Sequence, residues 1–169
     1  MSAFGPDDPA AKIWSSINTP GIVDSILALT TEPALEPAPW LPVTEDLAIE
    51  VWTECELAVI HAVADLLLRS GREGRAAERL LARLDHAVAW HLEHTQPDNA
   101  TGRPWAVHAF LLRGDPQADA VDYAASMLHT VEASRASDAP LEPLVDWILA
   151  DAARGLAGDT AIHLSRWLR

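Results

Sequence analysis

Cysteine is almost missing from this chain: Cys55 stands alone, so no disulfide can form within it, and the sequence fits a reducing compartment. Positive charge is thin as well, with 12 Lys and Arg against 25 Asp and Glu and a formal net charge of −13. A nucleic-acid binder normally presents a basic face, and an anionic membrane surface attracts one, so neither partner is expected. No uninterrupted apolar run reaches the ~20 residues that a membrane-spanning helix needs. The opening MSAFGPDDPAAK has neither the charged start nor the apolar run of a signal peptide. A soluble, cytoplasmic protein is the expectation. Phe and Tyr are scarce too, at two and one residues, which leaves seven tryptophans to set the scale of the packing.

Apolar residues make up 49 % of the 169, enough for a core in a chain of single-domain size. Charge is uneven along it: residues 1–65 sum to −10, residues 66–115 to +1 and residues 116–169 to −4. The acidic first third is therefore expected to lie against the Arg-rich middle. Such an acidic, tryptophan-rich chain also suits a homodimer that buries some of those rings.

The pattern predicts one all-α domain over 1–169, a bundle or antiparallel hairpin array of five to six main helices. Residues 1–8 read as loose, and short helices are expected at Pro9–Ile17 and from Thr19-Pro20. The Pro-rich stretch 31–43, TEPALEPAPWLPV, cannot be regular helix and should cross the surface, anchored by Trp40 and Leu41. Helices are then predicted over about 44–70, 75–95, 104–114, 116–134 and 140–155, with a terminal one capped by Asp159. No stretch alternates β-branched residues as a strand would.

Within 44–70 the apolar side chains go nearly all the way round, which marks a central helix. Glu50, Glu54, His61 and Asp65 form one polar stripe on it. The stripe reads either as an exposed edge with an Asp65–Arg69 pair, or as a set of metal ligands. Arg75, Arg79, Arg83 and His86 line the outer face of the following helix and read as a solvated stripe. Cys55 reads as a small buried hydrophobe, and Asp146 and Asp151 beside Trp147 as a surface edge.

The densest polar chemistry lies in HLEHTQPDNATGRPWAVHAF, residues 91–110, where a helix must stop at Pro97 and another begins near Pro104. No G-x-S-x-G, HExxH, phosphate-binding Gly loop or paired CxxC occurs, and no resemblance to a known family reaches motif level. In architecture alone, helical hairpins with such loops resemble the α/α-toroid enzymes acting on carbohydrates, for which this chain is too short. They also resemble DinB-like bundles, whose His-triad spacing it lacks.

The leading expectation is a binding or interaction module for a small molecule or protein, without a cofactor. Its pocket would sit near residues 91–108 and draw on Asn99, Arg103, Trp105, His61 and His129. One alternative is a hydrolase- or lyase-like enzyme in which His91 or His108 is the acid/base and Asp98 orients it. Burial alone would lower the pKa of His108, and a nearby acid would raise it. A second alternative is a divalent-metal bundle using Glu54 and His61. The first two readings require histidines distant in sequence to face a common hollow beside the Pro97–Pro104 bend.

Overall fold

The computed structural model describes residues 36–43, 48–69, 75–96, 102–114, 119–134 and 141–167, with side chains up to 158. Five helices and no strand occur among them: α1 (Ile49–Arg69), α2 (Arg75–His94), α3 (Val107–Arg113), α4 (Asp119–Ser134) and α5 (Pro143–Trp167). The all-α class expected from the sequence is what forms. The expectations for residues 1–35, for the helix starts at Thr44–Asp46, Asp115-Pro116 and Ser137–Pro140, and for Asp98 and Asn99 lie outside the described residues.

α1 is central because it is apolar on every face. From Trp52 through Ala64 every side chain but Glu54 is buried, Cys55 among them. It packs against α2, α3 and α5. From α2 come Leu80, Leu84, Ala87 and Val88, whose spacing puts them on one face. Burying each of those large aliphatic side chains contributes roughly 1.5–3 kcal/mol.

α3 is short, yet it touches all four other helices. Its entry differs from the helix start expected at Pro104. The Trp105 N–H turns back to the Arg103 carbonyl at 2.9 Å, and Ala106 takes a left-handed conformation at φ 62°. Regular helix therefore begins only at Val107, where the Ala109 and Phe110 amides bond the Ala106 carbonyl. The tight turn lets Trp105 and Phe110 both enter the core, where Phe110 stacks on Tyr123 of α4 at 4.4 Å. Arg113 closes α3 onto α2 with a two-pronged ion pair to Asp85, both contacts at 2.6 Å. Gly114 ends it as expected: a Cβ there would stand 2.2 Å from that of Ala120.

α5 departs from the expected stop near Gly155 or Gly158. It runs unbroken through both glycines to Trp167, so no separate helix starts at Asp159. Glycine inside a helix costs about 1 kcal/mol relative to Ala, which neighbouring packing easily outweighs. At Gly155 the missing side chain has a use, since a Cβ would lie 3.1 Å from the His108 ring and 3.0 Å from Leu68.

Segment 36–43 runs non-helically over α1 and α2, with Trp40 and Leu41 packed against the core as expected. Arg83 is not solvated. It donates to the carbonyls of Ala38 (2.6 Å) and Pro39 and lies 4.7 Å from the Trp40 ring, whereas Arg75 and Arg79 are exposed. Among the described residues the Pro-rich segment therefore meets the Arg-rich helix through backbone carbonyls and a ring, not through its acids.

Candidate functional site

His61 lies on the α1 face covered by α3 and α5, and it is fully buried. The Ala106 amide, aimed by its left-handed backbone, donates to His61 Nδ1 at 3.1 Å. With Nδ1 accepting, Nε2 carries the proton and donates it to Asp151 Oδ2 of α5 at 2.9 Å. The imidazole is thus held in one tautomer between a backbone donor and a carboxylate 90 residues away in sequence. His108 meets it edge to face at 4.5 Å between ring centres, and the Trp105 edge closes another side at 5.4 Å.

Asp151 carries this buried arrangement to the surface. Between α1 and α5 lies a cleft of about 560 Å³ with Asp65, Leu68, Arg69, Trp147, Asp151 and Arg154 among its walls. Arg154 reaches Asp151, and Arg69 reaches Asp65 at 2.6 Å. Both guanidinium groups are more than half exposed, while the two carboxylates are 9 % and 15 % exposed. The acids are therefore fixed parts of the wall, and the arginines are outer groups able to swing away.

The two carboxylates are displaced in opposite directions. Burial pushes Asp151 up, but the hydrogen bond from His61, followed by Arg154, outweighs it and holds the group below the usual value. Asp65 is raised, first by burial and then by the charge of Asp151, with Arg69 pulling only partly against them. His108 is lowered to about 3: burial dominates, His61 adds to it, and the Asp151 charge offsets little. Its Nδ1 is buried without a hydrogen-bond partner. His108 is accordingly uncharged near neutral pH and in no state to donate a proton as an acid.

The other residues singled out from the sequence occupy different surroundings. His91 is buried among Trp52, Trp90 and Phe110, its Nδ1 on Thr95 at 3.0 Å and its Nε2 3.7 Å from Glu56. Arg103 and Trp105 both donate to Glu54 Oε1, at 2.9 and 3.3 Å, and Arg103 also reaches Glu142. These contacts tie the 102–105 turn to α1. His129 is exposed on α4. Asp98 and Asn99 are outside the described residues. Both nitrogens of His61 are engaged and Glu54 is already bonded. Among the described residues no three His, Cys, Asp or Glu side chains are grouped to hold a metal ion. Nor is any helix there long and apolar enough to cross a membrane.

Two acids escaped the sequence reading: Asp151 looked like a surface edge, and Glu56 drew no notice. Asp65 stood in the polar stripe, and its expected pair with Arg69 forms. Glu56 alone left a signal: at about 100° per residue it falls away from the Glu50–Glu54–His61–Asp65 stripe, on an otherwise apolar side of α1 where a buried acid must find partners. Nothing local distinguishes Asp151, because its partner is reached only through the fold. Comparison with known protein families, characterised proteins and solved structures finds no match to this chain.

Proposed function

We propose that this chain binds a small organic molecule in the cleft between α1 and α5. The ligand would place hydrogen-bond donors on Asp151 and Asp65 and an apolar part against Trp147 and Leu68. One observation carries the reading: the Ala106–His61–Asp151 chain of hydrogen bonds fixes a carboxylate at the cleft wall from behind. Such support is what a preorganised site requires, since the orienting cost is met before the ligand arrives. The volume falls within the range of ordinary ligand pockets. The reading stays that of a binding module, with its pocket between α1 and α5 instead of at the 91–108 junction.

Thermal-shift screening of polar metabolites against the full chain tests this, followed by calorimetry with Asp151→Asn and Trp147→Ala. Ligands that stabilise the native chain should lose at least tenfold in affinity in both variants. Ligands indifferent to both substitutions, or no ligand at all across amines, polyols and nucleosides, would refute the assignment.

A catalytic reading is favoured by the opposed carboxylates. Groups whose surroundings drive their pKa values apart are suited to serve as base and acid. Asp151 would take a proton from water and Asp65 would deliver one to the leaving group of a hydrolysed bond. The acid/base roles then pass from His91 and His108 to these aspartates. Turnover of a chromogenic ester, phosphate or glycoside that Asp65→Asn and Asp151→Asn each abolish, with the helical circular dichroism intact, would establish it. Turnover in both variants equal to that of the native chain would rule it out.

A further inference from the structure

Charge is layered in the walls of the α1–α5 cleft. Each helix presents an acid and, one turn later, an arginine: Asp65 and Arg69 on α1, Asp151 and Arg154 on α5. The carboxylates are nearly enclosed and the guanidinium groups more than half exposed, so negative charge lies deep and positive charge outermost. Trp147 and Leu68 supply apolar wall. Gly155 and Gly158 leave the α5 side bare, and a Cβ at Gly158 would meet nothing within 4 Å. Glu56, the fully buried acid of α1, is closed over instead: its two oxygens accept the backbone amides of Trp40 (2.6 Å) and Leu41 (2.7 Å).

Both kinds of charged group keep capacity for a guest. Asp151 gives Oδ2 to His61 and Oδ1 to Arg154, two of the roughly four lone-pair positions of a carboxylate. Arg154 meets Asp151 through one nitrogen of a guanidinium that carries five N–H donors. The four charges sum to zero among the described residues of the cleft. A guest with net charge would leave one charge unbalanced where water is partly excluded, which is costly. A zwitterion leaves the balance intact. The charge of Asp151 is second only to burial in raising Asp65, and an ammonium beside both acids relieves that repulsion. Acid and guanidinium touch within each pair, at 2.6 Å for Asp65 and Arg69, so the guest's own opposite charges must be close neighbours as well. One carbon separates them in an α-amino acid. We infer, on the small-molecule reading above, that the cleft takes an apolar α-amino acid. Its ammonium points inward to Asp65 and Asp151, its carboxylate outward to Arg69 and Arg154, and its side chain lies against Trp147 and Leu68.

Calorimetry on the full chain tests this with L-leucine, L-methionine and L-phenylalanine. Each is compared with the amine left when its carboxylate is removed and the acid left when its ammonium is removed. At least one amino acid should bind saturably, roughly tenfold or more tighter than its own amine and acid. Arg154→Ala, at an exposed side chain, should erase the preference over the amine, and Asp65→Asn the preference over the acid. An amine or acid that binds as tightly as its amino acid overturns the inference and leaves a small-molecule cleft standing. So does failure of all three amino acids up to about 10 mM while another metabolite binds. Preferences unchanged in both variants would overturn it too, by placing the amino acid elsewhere. Silence from every compound would end this inference and the binding reading together.

Discussion

His61 and His108 touch, yet their surroundings give them different chemistry. His61 has a partner on each nitrogen, while His108 keeps a bare buried Nδ1 and a pKa lowered to about 3 by burial first of all. Above about pH 6.5 neither the folded nor the unfolded chain protonates His108. Between about 6.5 and 3 only the unfolded chain does so, and stability falls with pH; below about 3 the loss is complete. His108→Gln removes that titration. Urea unfolding at pH 7 and pH 4.5 should show the native chain losing roughly 2–3 kcal/mol more over this interval than the variant. An equal loss in both would mean that His108 is solvated. Ala106 offers a second test at this scale. Its left-handed backbone aims the amide at His61, and a β-branched side chain tolerates that conformation poorly. Ala106→Val should cost at least ~2 kcal/mol in the same assay, whereas Ala106→Gly should stay within about 1 kcal/mol, since relief of strain offsets the lost methyl burial.

At the scale of elements, α1 and α2 were legible because their apolar periodicity is strong and local. The start of α3 and the stop of α5 were not. Pro104 carries every mark of a helix start, but the turn from Arg103 to Ala106 spends those residues on reaching His61. Gly155 and Gly158 look like stop signals, yet α5 passes through both. The two glycines should respond differently to substitution. Nothing lies within 4 Å of a Cβ at Gly158, so Gly158→Ala should stabilise by about 0.5–1 kcal/mol through helix propensity. Gly155→Ala gains the same propensity but presses a methyl against His108 and Leu68, and should be neutral or destabilising. Thermal unfolding of both variants reads the contrast; equal stabilisation would show that the α5–α3 approach is looser than the structure has it.

The whole molecule carries a net charge of −13, far from balance, and its described ion pairs are few and mostly near the surface. Self-repulsion of that size opposes the compact state and is screened by salt. Raising NaCl from about 10 mM to about 500 mM should therefore increase stability by on the order of 1 kcal/mol, read as a rise in the urea midpoint. A fall would mean that the surface pairs outweigh the repulsion.

Composition and periodicity by themselves determined the helical class, the central place of α1, the burial of Cys55 and the anchoring of segment 36–43 by Trp40 and Leu41. Each follows from which side chains water excludes, and that is written locally. Only the tertiary structure decided that Asp151 meets His61, that Glu56 and Arg83 hold the backbone of 38–42, and that a cleft opens between α1 and α5. Those are pairings between groups far apart in the chain. A lone carboxylate looks the same in sequence whether it faces water or a buried imidazole, because the difference lies in what the fold brings opposite it.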